Sequence, residues 1–583
     1  MRRLVLSAFV CGALVAAAPA PTPPRPTPTP AVPAADTKTQ VDAIFAEYDR
    51  SDSPGCSLGV YRDGRIAYAR GYGMANLELG VANSPQTVFD IGSTSKQFTA
   101  FSIQLLAREG KLSLDDDIRK WLPEMPSYGK PITIRHLLHH ISGLRDYLVA
   151  MELSGMQEED WTTEQDALDI IARQKGINFP PGQEYLYSNT GYFLLGVIVK
   201  RASGQPLREF AAEHIFVPLG MRHTQFNELH TRIIPNRATG YRKQKPPAAA
   251  FGIEMSNWEQ IGDGSVLTTV EDLQRWDENF YEPRNGVGDA ALIQTMQVVG
   301  VLNSGKKIAY ASALSIGNYR GLRTVSHGGS WAGYRAQLLR YPDQHFSVAC
   351  LCNLAQANPS RLATKVSEVY LGSLMTKKDE PKPAQAAGNV KVAAPPKNLQ
   401  ALVGLYRDPE SSELVRLAIW DDKLTANVGD RNYPLTPLGA NRYRLEGYEG
   451  GKTEVEIPPA TAGGGARPKL TVTTTEEEEE PETQTFEPVE PWTPTAAELA
   501  PLAGLYSSEE VGTTWKLVAE GDKLIIKHRG VSEEPLKPTV RDTFTHEGIQ
   551  LTFQRGPKGE VTGFLVDAGR VKSLAFKKQT PAS

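Results

Sequence analysis

The sequence predicts an α+β chain: one antiparallel sheet flanked by helices over residues 39–378, followed by two small antiparallel β-barrels at 399–488 and 497–583. Three observations carry that expectation. β-rich runs stand at both ends of the first unit, around Asp63-Gly64 and again in RTVSHGGSWAGYRAQLLRYPDQHFSVACLCN, with apolar helical patterns between them, so both ends are expected to share one sheet. A Pro/Ala-rich stretch, PKPAQAAGNVKVAAPPKN, then separates that unit from the rest, with the linker at 379–398. Beyond it, Leu402-Val403-Gly404-Leu405-Tyr406 recurs one hundred positions on as Leu502-Ala503-Gly504-Leu505-Tyr506, and Asp422-Lys423-Leu424 as Asp522-Lys523-Leu524, the mark of two copies of one small β fold.

The elements follow in chain order. Residues 1–20 carry Arg2 and Arg3, an apolar run at 4–15 and then small residues, the layout of a signal peptide and too short for a permanent span. Cys11 follows Val10 rather than a small residue, which argues against lipid attachment, and the expected location is periplasmic or secreted. Residues 21–38 read as a Pro/Thr-rich extended tether, with order beginning near Thr39. CSLGVYRDGRIAYARGYG is expected to form a hairpin at Arg62-Asp63-Gly64. SKQFTAFSIQLLAREG, TIRHLLHHISG and SNTGYFLLGVIVKRASG read as helices, each closing on a glycine suited to a C-cap. Thr268 and Thr269, with Glu271 and Asp272 after them, read as an N-capping box. In the repeats, alternating runs such as KLVAEGDKLIIKH point to antiparallel strands, and the acidic run at 476–480 to a solvated loop or junction.

Composition narrows the function. A net charge of -4 offers no basic excess for phosphates, so nucleic acid is not an expected partner, and no later segment is long and apolar enough to span a membrane. After signal-peptide removal Cys56, Cys350 and Cys352 would remain, an odd number that excludes a fully paired framework. They read as inert buried thiols, Cys350 and Cys352 on one face of a strand, with a pairing of Cys56 to one of them left open.

The chemistry is concentrated in FDIGSTSKQFTAF. Ser93 and Lys96 share one helical turn, so the amine can reach the hydroxyl, and Ser93 at the helix start feels the positive end of the dipole. A serine hydroxyl needs a base, and a lysine serves only if its pKa falls from its ordinary ~10.4; Phe98, Phe101 and Leu105 are expected to supply the apolar setting. Ser-x-x-Lys also occurs at Ser127–Lys130 and Ser304–Lys307, but in turn-like glycine-containing stretches without an apolar helix behind them. Two later segments strengthen Ser93. Tyr187-Ser188-Asn189 precedes an apolar helix and offers a phenol to shuttle protons, easier to ionise near an ammonium, and an amide to hold the lysine amine and a substrate carbonyl. His327-Gly328-Gly329-Ser330 is a glycine-bearing strand edge that a substrate can approach closely. There the backbone N–H of Ser330 with that of Ser93 can form an oxyanion hole, and His327 can orient substrate or exchange charge with Tyr187 and Lys96. Gly262-Asp263-Gly264 can border the pocket, and Trp331 and Tyr334 can line it or simply pack. His136, His139 and His140 have helical spacing, but H-E-x-x-H and an obvious third ligand are missing, so no metal is expected. Gly328-Gly329-Ser330-Trp331-Ala332 lacks the last glycine and the strand-to-helix context of a nucleophile elbow.

Ser-x-x-Lys, Tyr-x-Asn and the glycine-rich strand, in this order, resemble the penicillin-recognising serine hydrolases, a superfamily of class C β-lactamases, DD-peptidases, esterases and D-aminopeptidases. The resemblance covers residues 40–375 and implies a β-lactamase/DD-peptidase-like catalytic domain. It implies that Ser93 is the nucleophile, Lys96 and Tyr187 the proton-transfer pair, Asn189 the positioning residue, and His327, Gly328, Gly329 and Ser330 the substrate strand. An exported serine hydrolase working through an acyl-enzyme follows, with no cofactor, acting on small ester or peptide substrates, D-amino-acid peptides and peptidoglycan fragments among them. One departure matters: β-lactamases carry Lys-Thr-Gly where this chain has His-Gly-Gly, so the groups that would grip a β-lactam carboxylate are missing, which favours peptidase or esterase activity over efficient β-lactamase activity. A penicillin-binding sensor without turnover and a true β-lactamase are the alternatives. Two barrels behind the catalytic domain are similar to the D-aminopeptidase branch, where the second barrel sends a loop toward the site; whether one does so here is not legible, nor is the oligomeric state.

Overall fold

The structure, a computed structural model, describes residues 35–246, 249–283, 287–376, 399–409, 413–428, 431–439, 441–446, 452–458, 467–475 and 482–580. The expected signal peptide, most of the tether, the linker at 379–398 and the acidic run at 476–480 lie outside the described residues. The helices that position the site are α1 (Ala35–Ile44), α2 (Lys96–Arg108), α3 (Ile134–Leu138), α4 (Tyr147–Ser154), α5 (Asn189–Ser203), α6 (Val270–Glu278) and α7 (Pro359–Leu371). Helix α1 begins before Thr39, within the stretch read as tether, because Val41 and Phe45 are buried against the sheet and hold it.

Strand β1 (Cys56–Arg62) turns through Asp63 and Gly64, both left-handed with φ 49° and 74°, into β2 (Arg65–Tyr72), the hairpin that Asp-Gly predicts. β3 (Ser315–Tyr319), β4 (Leu322–Trp331), β5 (Tyr334–Tyr341) and β6 (Phe346–Cys352) complete a six-stranded sheet of order β3-β4-β5-β6-β1-β2 with every neighbour antiparallel. Both ends of the unit therefore meet at the β1–β6 ladder. Successive side chains of β6 go to opposite faces: Phe346, Val348, Cys350 and Cys352 pack with α1 and α7, whereas Ala349 and Leu351 join the larger core under the remaining helices. With both faces covered, the strand reads as a continuous apolar run.

The register settles the cysteines. Cys56 stands opposite Cys352 across the β1–β6 ladder, and the two form a disulfide, leaving Cys350 as a buried free thiol. The reading of three inert thiols is corrected, since pairing depends on a register between strands at opposite ends of the unit.

Helix α2 is buried on every side from Lys96 to Leu106, as expected of a central helix, and packs on α5. Thr133 caps α3, its hydroxyl accepting from His136 N while His136 Nδ1 accepts from Thr133 N, so His136 is spent on a capping box. Thr269 caps α6 through Asp272 N, but the Asp272 carboxylate turns to His223 N and Thr224 instead of closing the box.

Of the two C-terminal repeats, the first is a closed barrel running from Gly404–Arg407 round to Glu482–Val489 with a core of its own. The second is an eight-stranded sheet whose edge strands, Lys523–Lys527 and Lys537–Pro538, share no ladder; one bond, Leu536 N to Leu524 O at 2.8 Å, bridges them. Two small antiparallel barrels were expected; the first is closed and the second is a half-barrel left open between its edge strands. The apolar interior of the second, including Trp515, Phe564 and Phe576, is continuous with the core of the first unit. Among the described residues no helix is long and apolar enough to cross a membrane.

Candidate active site

Ser93 lies in a 3₁₀ turn, Gly92–Ser95, that runs directly into α2, so its half-buried hydroxyl sits at the positive end of that helix. The turn is held from below. Ser95 Oγ accepts from Val266 N at 3.0 Å, and Thr99 Oγ1 donates to Gly262 O at 2.7 Å, which accounts for polar residues on a buried helix.

Lys96, fully buried, is 2.9 Å from Ser93 Oγ and 2.9 Å from Asn189 Oδ1, and also donates to the main-chain oxygen of Asp263. Two of these three partners, the Asn189 amide oxygen and the Asp263 backbone oxygen, can only accept. A neutral amine has two hydrogens and one lone pair, so the hydrogens go to those two and the lone pair faces Ser93. Burial is the main force lowering the Lys96 pKa to about 7; Asp263 and Asp146 oppose it and the Arg570 charge assists it. Asp263, which borders the pocket as the sequence suggests, has its own carboxyl raised to about 6 by burial, against the pull of Lys96, and accepts from Tyr147 Oη at 3.1 Å.

The walls around the amine are Tyr187 and Tyr192, whose ring centroids lie 5.1 and 5.7 Å from Nζ. Phe98 and Phe101 pack on Trp276 instead, so the apolar setting expected from them is supplied by the tyrosines. Among the described residues none completes a well-formed hydrogen bond to the buried Tyr187 hydroxyl; burial pushes its pKa up, with Ser93 beside it working the other way. The expectation that a nearby ammonium eases its ionisation is corrected: desolvation dominates, and the phenol keeps its proton at neutral pH.

Strand β4 presses on this turn. A Cβ on Gly329 would stand 1.9 Å from Ile91 O, and one on Gly92, itself at φ 47°, would stand 2.7 Å from Ser330 N. Only glycines permit that approach, which brings the Ser330 main chain beside the Ser93 turn, with Thr94 Oγ1 donating to His327 O at 3.3 Å. The His327 ring turns inward. Its Nδ1 lies 2.6 Å from Gly328 O, so that nitrogen carries the hydrogen and Nε2 accepts from Tyr310 Oη at 2.8 Å. Burial, then the nearby Lys96, lower its pKa to about 4. Charge exchange with Tyr187 and Lys96 is thus corrected: the ring is neutral and committed. Tyr334 packs, donating to Ala238 O, while Trp331 lies against Trp258 with the rings tilted by 54° and their centroids 5.8 Å apart.

Sequence reasoning missed three contributors. Asp146, which caps α4, also accepts from Asn189 N (2.8 Å) and Asn189 Nδ2 (3.0 Å) through its carboxylate, which orients the amide so that Oδ1 faces Lys96. His140, weighed only as a metal ligand, sits in a left-handed conformation (φ 56°) with its ring 4.1 Å from that of Tyr187, and its Nδ1 accepts from Ser188 N. Burial holds it neutral, so it buttresses the Tyr187 segment. Arg570, 424 positions from Asp146, reaches in from the second repeat to 3.1 Å from its Oδ2. The other two Ser-x-x-Lys sequences lie in exposed loops.

Comparisons with known proteins bear on the family and the fold. Residues 41–369 match the family model described as Beta-lactamase. The chain is 32% identical over 306 residues to Penicillin-binding protein 4* of Bacillus subtilis, covering 50% of this chain and 66% of that protein. It is 29% identical over 364 residues to a D-aminopeptidase of Cereibacter sphaeroides, covering 62% and 65%. The chain thus spans just under two thirds of the length of these relatives. Among solved structures it is similar in fold to the octameric penicillin-binding protein homologue from Pyrococcus abyssi, with a TM-score of 0.54 and 24% identity over 78% of this chain and 99% of that one. A D-amino acid amidase from Ochrobactrum anthropi gives a TM-score of 0.50 and 22% identity over 58% and 100%.

Proposed function

The chain belongs to the beta-lactamase family, and on that premise we propose that it is a serine hydrolase in which Ser93 is the nucleophile, Lys96 the general base and Tyr187 the proton donor. The observation that carries this reading is the buried Lys96 amine 2.9 Å from Ser93 Oγ, its other two hydrogen-bond directions taken by acceptors. Ser93 Oγ attacks the carbonyl carbon while its proton passes to Lys96. The main-chain N–H groups of Ser93 and Ser330 receive the developing oxyanion. Tyr187, protonated and next to both side chains, delivers a proton to the departing amine or alkoxide, and the Lys96 proton refills it. Water then attacks the acyl-enzyme with the same groups reversed. Asn189, held by Asp146, keeps the amine on Ser93.

The substrate class follows from what lines the strand. His327 is neutral and turned inward, and Gly328 and Gly329 have no side chains, so the His327–Ser330 stretch of β4 grips substrate through its backbone and offers no cation of its own to a carboxylate. That favours amide or ester bonds in D-amino-acid-containing peptides or small esters over efficient β-lactam hydrolysis, in line with the D-aminopeptidase relative. An exported, periplasmic or secreted setting rests on the signal-peptide layout of residues 1–20.

The test is a panel of D-amino-acid amides, muropeptides, p-nitrophenyl esters and nitrocefin, with fluorophosphonate labelling, on the native chain and Ser93→Ala. Turnover and labelling should both vanish in the variant. Labelling that survives removes Ser93 from the mechanism, and a stoichiometric adduct without product release makes the protein a penicillin-binding sensor instead.

A further inference from the structure

The turn between β7 (Val561–Ala568) and β8 (Val571–Lys578) of the second repeat docks on the dipeptide Arg145-Asp146. Its main chain is clamped at several points. Asp146 N and Asn178 Nδ2 donate to Arg570 O at 3.2 and 2.9 Å, Lys572 N donates to Asn178 Oδ1 at 2.9 Å, and Arg145 donates to Lys572 O and Ser573 O at 3.0 Å each. Arg145 is itself buried and paired with Glu510 of the same repeat at 2.7 Å. The clamp aims the Arg570 side chain into the catalytic unit, 3.1 Å from Asp146 Oδ2 and 5.4 Å from the Tyr187 ring centroid.

A continuous chain of hydrogen bonds results. Arg570 donates to Asp146, Asp146 accepts from the Asn189 amide, Asn189 Oδ1 accepts from Lys96, and Lys96 meets Ser93. We propose that Arg570 is a positioning residue for the catalytic relay: through Asp146 it holds the Asn189 amide and thus the Lys96 amine on Ser93, which makes the C-terminal repeat a working part of the active site. The inference rests on the reading of Ser93 and Lys96 given above.

Electrostatics point the same way. The charges facing Lys96 are Asp263 before α6, Asp146 at the start of α4 and Arg570 from the second repeat, with His140 and His327 neutral and Tyr187 protonated. Arg570 in turn faces Asp146, Glu152 of α4 and the Tyr187 ring. Asp146 is wholly buried, and Arg570 is the cation paired with it. Without Arg570 the bare carboxylate would favour a protonated Lys96, the inactive form.

Arg570→Met keeps the bulk and removes the charge; Arg570→Lys keeps the charge. Both are assayed in the full chain on a D-amino-acid p-nitroanilide, as kcat and KM against pH. Arg570→Met should lose about tenfold or more in kcat, within the range for a disturbed acid–base step, with KM within about twofold. It should move the acidic limb of kcat to higher pH, and Arg570→Lys should return the limb toward the native position. Because the Arg570 side chain is 41% exposed, added salt should shift the native limb in the same direction, a readout that survives even if Arg570→Met does not fold. An unmoved limb in the variant and in salt overturns the proposal, as does a loss confined to KM, which would make Arg570 a substrate contact. Ser93→Ala in the same assay separates the failures: activity there defeats the reading of the site, whereas an inactive Ser93→Ala beside an unaffected Arg570→Met defeats only this inference.

Discussion

An ordinary lysine is protonated at neutral pH and useless as a base, so the decisive residue-scale fact is what surrounds Lys96. Burial lowers its pKa to about 7, and the form proposed to act as base is the deprotonated one. The sign follows: kcat should rise with pH through an acidic limb near about 7, as amine replaces ammonium. Assays of kcat from pH 5 to 9 check this, and a limb near 4 would hand the base role to a carboxylate or imidazole. Tyr187 is legible in the same way. If it protonates the leaving group, Tyr187→Phe should cut amide hydrolysis by about 10²–10⁴ but p-nitrophenyl ester hydrolysis far less, because that phenolate departs without a proton. Equal losses on both substrates would assign the phenol another task. Ser93, Lys96, Tyr187 and Asn189 could be nominated from sequence because each carries its chemistry in its residue type, and the fold brings them together around the Lys96 amine. The sequence did not reveal the protonation state of Tyr187 or His327, which is a property of the surrounding dielectric.

Element placement is what brings those residues together. The 3₁₀ turn before α2 and the edge of β4 touch through Gly92 and Gly329, and the approach leaves no room for a methyl group. Gly329→Ala should therefore push β4 off the Ser93 turn, costing about 1–3 kcal/mol of stability and a larger share of activity than of fold. Thermal melts beside fluorophosphonate labelling rates separate the two, and a fully active variant would show that Ser330 N need not sit there. The hairpin and two helix ends were readable from local pattern: Asp63-Gly64, Gly110 and Gly204 mark them as predicted, whereas the helix expected to close on Gly143 already ends at Leu138 and the box expected at Thr269 stays half-made. The Cys56–Cys352 bond was not readable, because it depends on which residues face each other across β1 and β6.

At the scale of the whole molecule, the two repeats play unequal parts. The first keeps a core of its own, whereas the second shares one with the catalytic unit and is pinned by the buried Arg145–Glu510 pair. Removing one partner of a buried ion pair leaves the other uncompensated. Glu510→Ala should accordingly cost about 3–5 kcal/mol. Because Lys175 N and Arg145 also lean on that carboxylate, the loss should carry activity with it. Denaturant melts monitored with an activity assay test this; a stable, fully active variant would mean the repeat is only an appendage.

Taken alone, the chain determined whatever rests on near neighbours: the one-turn spacing of Ser93 and Lys96, the capped helices, the hairpin, the duplication of a β fold and an α+β unit built from both its ends. Periodicity and side-chain chemistry are written into consecutive residues, so these needed no coordinates. Tertiary packing alone decided the disulfide partner, the open second sheet, the inward turn of His327, and the meeting of Arg570 with Asp146 beside Asn189. Each of those depends on register or docking between segments far apart in the chain, and on how completely water is excluded where they meet, quantities that no local stretch of sequence contains.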